Sequence, residues 1–281
     1  MNVFVAGGTG VVGSRLVRLL VANGHEVTAS TTSQAKLAVL RDAGAEPVVL
    51  DLLDRNAVMA AVLRAEPDVL VHEATALAAM SGNLRKFDRD FALTNRLRTE
   101  GTDHLLEAAR AAGARRFLAQ SFAGGPNSRT GKMVKTEDDP LESDPLPGTG
   151  ESMSAIKHVE SVVTGADDIE GIVLRYGGLY GPGTSLTAGG AHAEAVLKRR
   201  FPIVGDGTGV WSFVHADDAA AATAIAVEHG APGMYNIVDD DPAPVCEWLP
   251  FLADALGAPP PRHFPVWLGR LLAGPVLVAM E

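Results

Sequence analysis

The chain has 281 residues, 47% of them hydrophobic, and carries 24 Lys and Arg against 34 Asp and Glu, a formal charge of −10. That length suits one large domain or two small ones, and that apolar share supports a substantial core. The acidic balance excludes the basic footprint of a nucleic-acid binder. The single cysteine, Cys246, excludes a disulfide framework and a cysteine metal cluster. A reducing, cytoplasmic setting is expected. The first apolar run ends in glycines, unlike a secretory leader. The most apolar late stretch, 266–280, contains Arg270 and a Gly274-Pro275 break and is too interrupted to span a bilayer. It reads as a helix packed on the body or on a partner subunit.

In chain order, Asn2 to Ala6 reads as a short apolar strand, followed by Gly7, Gly10 and Gly13 at a spacing of three. Residues 14–22 read as a helix with Leu16, Val17, Leu19 and Leu20 on its apolar face. Strand, glycine turn and helix in this order make a phosphate-binding element. The first glycine permits the tight turn, the second lets backbone approach a pyrophosphate, and the third lets helix and strand pack closely. The helix N-terminus then offers free N–H groups to the anion. Further strands are expected at 26–30, 47–51, 68–74 and 116–121, alternating with helices at 34–42, 54–64 and a long one at about 91–112 that stops at Gly113. This alternation predicts an α/β fold, a doubly wound parallel sheet covered on both faces with right-handed crossovers. Ligands of such sheets sit beyond the carboxyl ends of the strands.

Residues 122–150 differ. They are rich in proline and glycine and carry Glu137, Asp138, Asp139, Glu142 and Asp144, which reads as a substrate lid or a solvated acidic excursion. A helix at 151–164 and a strand at 171–176 follow. Beyond Gly177, glycine and proline punctuate shorter elements, including a helix at about 188–200. The expected division is a dinucleotide-binding domain over 1–176 and a mainly substrate-binding portion over 177–281, intertwined with the first.

Taken together, these features resemble an extended or atypical short-chain dehydrogenase/reductase of the NAD-dependent epimerase/dehydratase type, with a Rossmann fold. The glycine loop fits, as do Asp51-Leu52 after the third strand, His72-Glu73-Ala74-Thr75-Ala76 after the fourth, and Glu100-Gly101-Thr102 through Ala109 in the long helix. Arg175 through Tyr180-Gly181-Pro182-Gly183, Gly205-Asp206-Gly207, Phe213 through Asp218, and Tyr235-Asn236-Ile237 complete the order. The resemblance implies an NAD(P)-dependent oxidoreductase or epimerase-type enzyme acting on a small organic substrate. It places cofactor on Gly7, Thr9, Gly10, Val11, Val12, Gly13, Thr31, Thr32, Lys36, Asp51, Leu52, Ala74, Thr75, Ala76, Lys157 and Gly178. Two long helices per subunit also imply a homodimer, by analogy. Neither a nucleic-acid nor a membrane partner is expected, and no metal, because His72 and Glu73 point to opposite faces of a strand.

The departures bear on the chemistry. The family's active site is Tyr-x-x-x-Lys on the helix after the fifth strand, the lysine holding the ribose and the tyrosine moving a proton. Here Lys157 is present, but Met153 stands four residues earlier, and a thioether has no ionisable proton. The assisting hydroxyl's place holds Phe122, with Ser121 one residue away and turned to the other face. The remaining candidates for proton supply are Ser121, Tyr176 and Tyr180. Ser152 and Ser154 read as helix-start residues. At the end of the second strand, Ser30-Thr31-Thr32-Ser33 offers no carboxylate to favour NAD, which tips the expectation slightly to NADP. Trp211 occupies the place where sugar-nucleotide members carry a diphosphate-binding arginine. It suggests a flatter, less anionic substrate, aromatic or polyketide-like, unless it is core. Phe122 and Met153 would line the same pocket. Loss of the proton-handling pair leaves two alternatives open: a dinucleotide-binding sensor or scaffold, and a non-redox isomerase or cyclase.

Overall fold

The computed structural model describes residues 1–77, 87–125, 127–132 and 134–273. The chain opens with β1 (Asn2–Ala6), α1 (Val11–Ala22), β2 (Glu26–Thr31), α2 (Leu37–Asp42), β3 (Glu46–Val49), α3 (Arg55–Ala65) and β4 (Val69–His72). It continues with α4 (Phe87–Arg96), α5 (Thr102–Ala111), β5 (Arg116–Phe122), α6 (Gly150–Thr164) and β6 (Glu170–Tyr176). After these come β7 (Gly178–Tyr180), α7 (Ala191–Leu197), β8 (Ile203–Val204), β9 (Val210–Trp211), β10 (Phe213–His215) and α8 (Ala216–Glu228). The last described elements are β11 (Gly233–Ile237), β12 (Ala243–Pro244), α9 (Val245–Ala255), β13 (His263–Phe264) and α10 (Val266–Ala273).

Seven strands form one sheet in the order β11-β6-β5-β4-β1-β2-β3, and every neighbouring pair is parallel. The expected α/β doubly wound, Rossmann-type sheet is therefore present. Its chain order reverses between β1 and β4, which opens a crevice at their carboxyl ends. Alternation along each strand divides the core in two. Val3, Val5, Val71, Leu118, Ile172 and Leu174 pack under α1 and α8. Phe4, Leu70, Phe117, Ala119 and Val173 pack under α3, α5 and α6. The stretch after Gly177 contributes α8 and β11 to the main body, as well as its own small cluster around Ile203, Val245, Trp248 and Leu249.

Several expected boundaries shift for local reasons. The segment read as one helix over 34–42 begins as a 3₁₀ turn, Gln34–Lys36, before α2. The long helix starts earlier, at Phe87, and is interrupted by a π turn, Leu97–Gly101, before α5. The helix expected at 188–200 is shorter: Gly190 leads into it, and Arg199 at φ 53 lies past its end. Only 266–273 of the apolar C-terminal stretch falls among the described residues, as α10. Among the described residues, no helix is long and apolar enough to cross a membrane.

Candidate active site

The crevice between β1 and β4 is shaped by backbone. Gly7 holds φ +89, and a Cβ there would sit 2.7 Å from the Ala74 Cα. A Cβ on Gly13 would fall 2.3 Å from the Gly7 carbonyl oxygen. Both positions are thus closed to any side chain, and the turns after β1 and β4 touch directly. Gly10 precedes α1 and no side chain caps that helix N-terminus, so its first N–H groups face the crevice unclaimed by a cap. Arg15 ties the rim together. Its Nη1 donates to the Val11 carbonyl (2.8 Å), its Nη2 donates to the Pro182 carbonyl (2.7 Å), and its Nε pairs with Asp217 at the start of α8. An uncapped helix N-terminus behind a turn closed to a Cβ at Gly7 and Gly13 fits a pyrophosphate.

The end of β2 carries hydroxyls in place of charge. Thr31 Oγ1 lies 3.0 Å from Thr9 Oγ1 and accepts the Ser33 N–H, while Ser30 Oγ accepts the Gly7 N–H at 3.2 Å. Thr32 and Lys36 are exposed beside them. Asp51 is exposed and accepts the Leu53 N–H, and Leu52 is buried with its carbonyl bonded to His104. Past β4, His72 accepts the Ala74 N–H at Nδ1, and its Nε2 donates to the Leu97 carbonyl in the π turn. Burial pushes this imidazole down to about 4, so it is neutral in that bridge. Thr75 follows, half-buried, and the Ala76 N–H reaches Thr94 on α4.

Both core faces carry a buried glutamate. Under α1 and α8, Glu73 receives the Tyr176 hydroxyl at 2.7 Å, and that hydroxyl lies 2.5 Å from Thr223 Oγ1. Desolvation raises the Glu73 carboxyl to about 8, so it is protonated at neutral pH, and its Oε2 finds no partner among the described residues. Burial raises Tyr176 as well, with the Glu73 carboxylate charge adding to it. Under α6, Glu160 pairs with both Nε and Nη2 of Arg175, at 2.8 and 2.7 Å, and accepts the Ser121 hydroxyl at 2.7 Å.

These contacts correct two expectations about proton supply. Tyr176 is 2% exposed because, two residues on from Leu174, it shares the α1/α8 face of β6, and its hydroxyl is taken up there. Ser121 is also 2% exposed: β5 runs in unbroken register with β6 through Phe122, so no bulge turns Ser121 toward the crevice. Tyr180 differs, being 38% exposed at the end of β7. Its hydroxyl bonds the Asp239 carboxylate, which raises its pKa and weakens it as an acid. Phe122 is exposed at the end of β5, and Met153 is buried on α6. Lys157 Nζ donates to the Glu142 carbonyl of the acidic loop at 2.6 Å. The same loop is anchored by Arg129, which bonds Glu142, and by Glu137, which accepts the Asn236 N–H of β11. Ser152 is buried; its hydroxyl donates to Asp88 and accepts from Asn95. Gly178 is covered by the Phe213 ring, 3.2 Å from where its Cβ would lie. Trp211 is half-buried against Trp248 and Phe213. Phe213 could have been read from its spacing of two from Trp211, which puts both on one side of an extended segment. Trp248, by contrast, is too far along the chain for any local pattern to join it to them. Among the described residues, no cluster of side chains suits a metal.

A parallel doubly wound sheet whose first turn is closed to side chains at Gly7 and Gly13 is the frame of a dinucleotide-binding enzyme. The chain belongs to the NAD dependent epimerase/dehydratase family, whose model matches residues 3–238. It is thus an enzyme of the nicotinamide-dependent oxidoreductase and epimerase type, acting on a small molecule. It is 47% identical over 282 aligned residues to the 3-diazoavenalumate denitrifying reductase of a Streptomyces species, covering 98% of this chain and 88% of the relative. It is 30% identical to the 2-alkyl-3-oxoalkanoate reductase of Stenotrophomonas maltophilia, over 92% of this chain and 77% of that one. The UDP-glucose 4-epimerase of Thermotoga maritima shares the fold at a TM-score of 0.77 and 23% identity, covering 94% and 86% of the two chains. The enzyme of that name from Thermus thermophilus, in complex with NAD, superposes at 0.72 with 27% identity over 94% and 86%.

Proposed function

We propose that this protein is a reductase whose substrate needs a hydride but no proton from the protein, and that a diazo-bearing small molecule is such a substrate. The observation that carries the reading is the state of the proton donors. Met153 stands where the family's tyrosine would be, and Ser121 and Tyr176 are closed off by their own buried glutamates. A ketone becomes an alkoxide on reduction and must be protonated. An ortho-quinone diazide, whose diazo carbon is that of an aryl diazonium, has no such requirement: hydride addition and loss of neutral dinitrogen leave a phenolate, which takes its proton from water. The relative named a denitrifying reductase of a diazo compound supports this choice. When bound, a nicotinamide cofactor supplies the hydride, whose electron pair makes the new C–H bond while the C–N pair leaves with dinitrogen.

The chain's own residues do the rest. The Gly7 to Gly13 turn and the α1 N-terminus hold the pyrophosphate, with Thr9, Val11 and Val12 lining it. Asp51 and Leu52 border the adenine, and Ala74, Thr75 and Ala76 form the far wall. Lys157 leaves the Glu142 carbonyl and holds the ribose. Thr31, Thr32 and Lys36 offer hydroxyls and a cation in place of a carboxylate, which favours NADP over NAD. Gly178, Phe122, Met153 and Trp211 border the substrate, and residues 177–281 supply most of its side of the pocket. The groove between α4 and α6, lined by Ala92, Asn95, Thr99, Ser154 and Ala155, is the face through which two copies dimerise. Light scattering reads that directly.

The test is NADPH consumption by the purified full chain with an ortho-quinone diazide and, in parallel, with a ketone of similar size. Consumption matched by dinitrogen release, with the ketone inert, is expected. Turnover of the ketone alone would overturn the reading and move the proton-donor role to Tyr180. Lys157→Ala is expected to weaken NADPH binding in a fluorescence titration, and full retention of affinity removes Lys157 from the ribose site.

A further inference from the structure

The acidic loop between β5 and α6 is a built structure. The Ser128 N–H donates to the Pro140 carbonyl at 3.0 Å, beside an antiparallel bridge between Asn127 and Leu141. Glu142 Oε1 accepts the Asp144 N–H at 3.0 Å, and its Oε2 accepts the Arg129 Nε–H at 3.0 Å and the Arg129 N–H at 3.3 Å. Arg129 Nη2 closes the ring by donating to the Asp144 carbonyl at 3.1 Å. Asp139 accepts both the N–H and the hydroxyl of Thr136, at 2.7 and 3.1 Å.

The loop is fastened to the body at two separate points. Glu137 accepts the Asn236 N–H at 2.7 Å on β11, the edge strand of the sheet. The Glu142 carbonyl accepts from Lys157 Nζ at 2.6 Å on α6, whose Val159 and Val163 pack with Phe117 of β5 and Val173 of β6. Glu142 thus holds two cations, Arg129 through its carboxylate and Lys157 through its carbonyl. The Asp144 N–H and the Arg129 guanidinium pull that carboxyl down to about 2, so it is ionised at neutral pH. Arg129 is exposed and Glu142 half-buried, so the latch is a surface ion pair, weak enough to open.

We infer that Arg129 and Glu142 are positioning residues that act through Lys157: together they make the loop a strap that withholds the Lys157 ammonium until a dinucleotide takes it. This rests on the placement of Lys157 at the ribose given above. A ligand shifts an equilibrium only by its different affinity for the two states. Here that difference is Lys157 Nζ, a point charge on a flexible four-carbon stem that trades a carbonyl for ribose hydroxyls. Only the released strap leaves Nζ free to move to the ribose, so seating the cofactor and loosening the strap are one event. While the released state is only partly populated, apparent affinity falls in proportion, and undoing the latch restores it.

The test is stopped-flow fluorescence of NADPH, and separately NADH, binding to the full chain, so no turnover is required. Arg129→Ala is expected to speed association and tighten binding, each by about fivefold. In a Lys157→Ala background the same change is expected to do nothing, which a purely structural role for Arg129 would not produce. Hydrogen exchange at the Asp144 and Asn236 amides, which donate to Glu142 and Glu137, should quicken when NADPH is bound. Unchanged or slower association in Arg129→Ala overturns the strap, as does exchange that slows or stays the same on binding. Acceleration that persists without Lys157 overturns the action through Lys157. If Arg129→Ala does not fold by circular dichroism, exchange in the unmodified chain decides the point. Failure of the ribose placement would look different: Lys157→Ala alone would keep full affinity for NADPH, whereas failure of the strap alone leaves that variant weakened.

Discussion

Glu73 and Glu160 are the same residue type, each 5% exposed, on opposite faces of one sheet. Their solutions to burial are opposite. Glu160 meets a guanidinium head-on in a bidentate pair. Glu73 meets only hydroxyls, from Tyr176 and, through it, Thr223, and gives up its charge instead. What separates the two is thus the neighbour that β6 presents on each face, Arg175 or Tyr176, and not the depth of burial. The α6 face is held by an ion pair, and the α1/α8 face by a neutral hydrogen-bond chain.

The largest expected effect comes from breaking the charged side. Arg175→Met leaves Glu160 buried without its counter-ion and should cost roughly 3–5 kcal/mol in denaturant unfolding. Adding Glu160→Gln should recover much of that loss. If Arg175→Met alone is nearly neutral, the pair is not what holds that face.

The neutral side should show itself through pH. A carboxyl raised from 4.5 to about 8 on folding binds more protons folded than unfolded across that interval. Its contribution is therefore complete below about pH 4.5 and is lost as pH rises toward 8, with a slope of up to about 1.4 kcal/mol per pH unit. Glu73→Gln should flatten this limb, raising the melting temperature at pH 8–9 relative to the unmodified chain and changing little near pH 5. An unchanged alkaline limb would mean that Glu73 is ionised. His72 runs the other way: held neutral with a pKa near 4, it costs stability as pH falls from its usual 6.5.

Smaller effects should sharpen the contrast. Tyr176→Phe removes the hydrogen bond to Glu73 and should destabilise by about 1 kcal/mol. It should leave kcat with a diazo substrate unchanged, since the hydroxyl lies in the core; a large fall in kcat would return Tyr176 to the active site. Thr223→Val should cost less still, within about 1 kcal/mol, read from the same unfolding curves.

Much of the fold was legible because its signals are local. Gly7, Gly10 and Gly13 lie within one turn of each other, and the alternation of strand and helix repeats through Tyr176. The cradle was legible for the same reason, since its constraints are steric and fall on glycines. The proton-handling side was harder to read. Nothing near Ser121 announces Glu160, and nothing near Tyr176 announces Glu73, more than a hundred positions earlier in the chain. Met153 is visible in the sequence, whereas where the hydroxyls point is set only by packing. Trp211 stands alone in the sequence pattern, but its neighbour Trp248 on α9 reaches it through the β9–β12 pairing of two-residue strands, which carries no sequence period.

The π turn at Leu97–Gly101 holds one residue more than a regular helix would use for the same rise. Upstream of it, Thr94 reaches the Ala76 N–H past β4 and Asn95 reaches Ser152 on α6; downstream, Thr102 and Leu105 face the core. With strict α-helical spacing, one of these two sets would be rotated by about 100° away from its target. The extra residue of the turn offsets that rotation. It lets one length of helix satisfy two separate patterns, and a one-residue deletion there should be far less tolerated than a substitution.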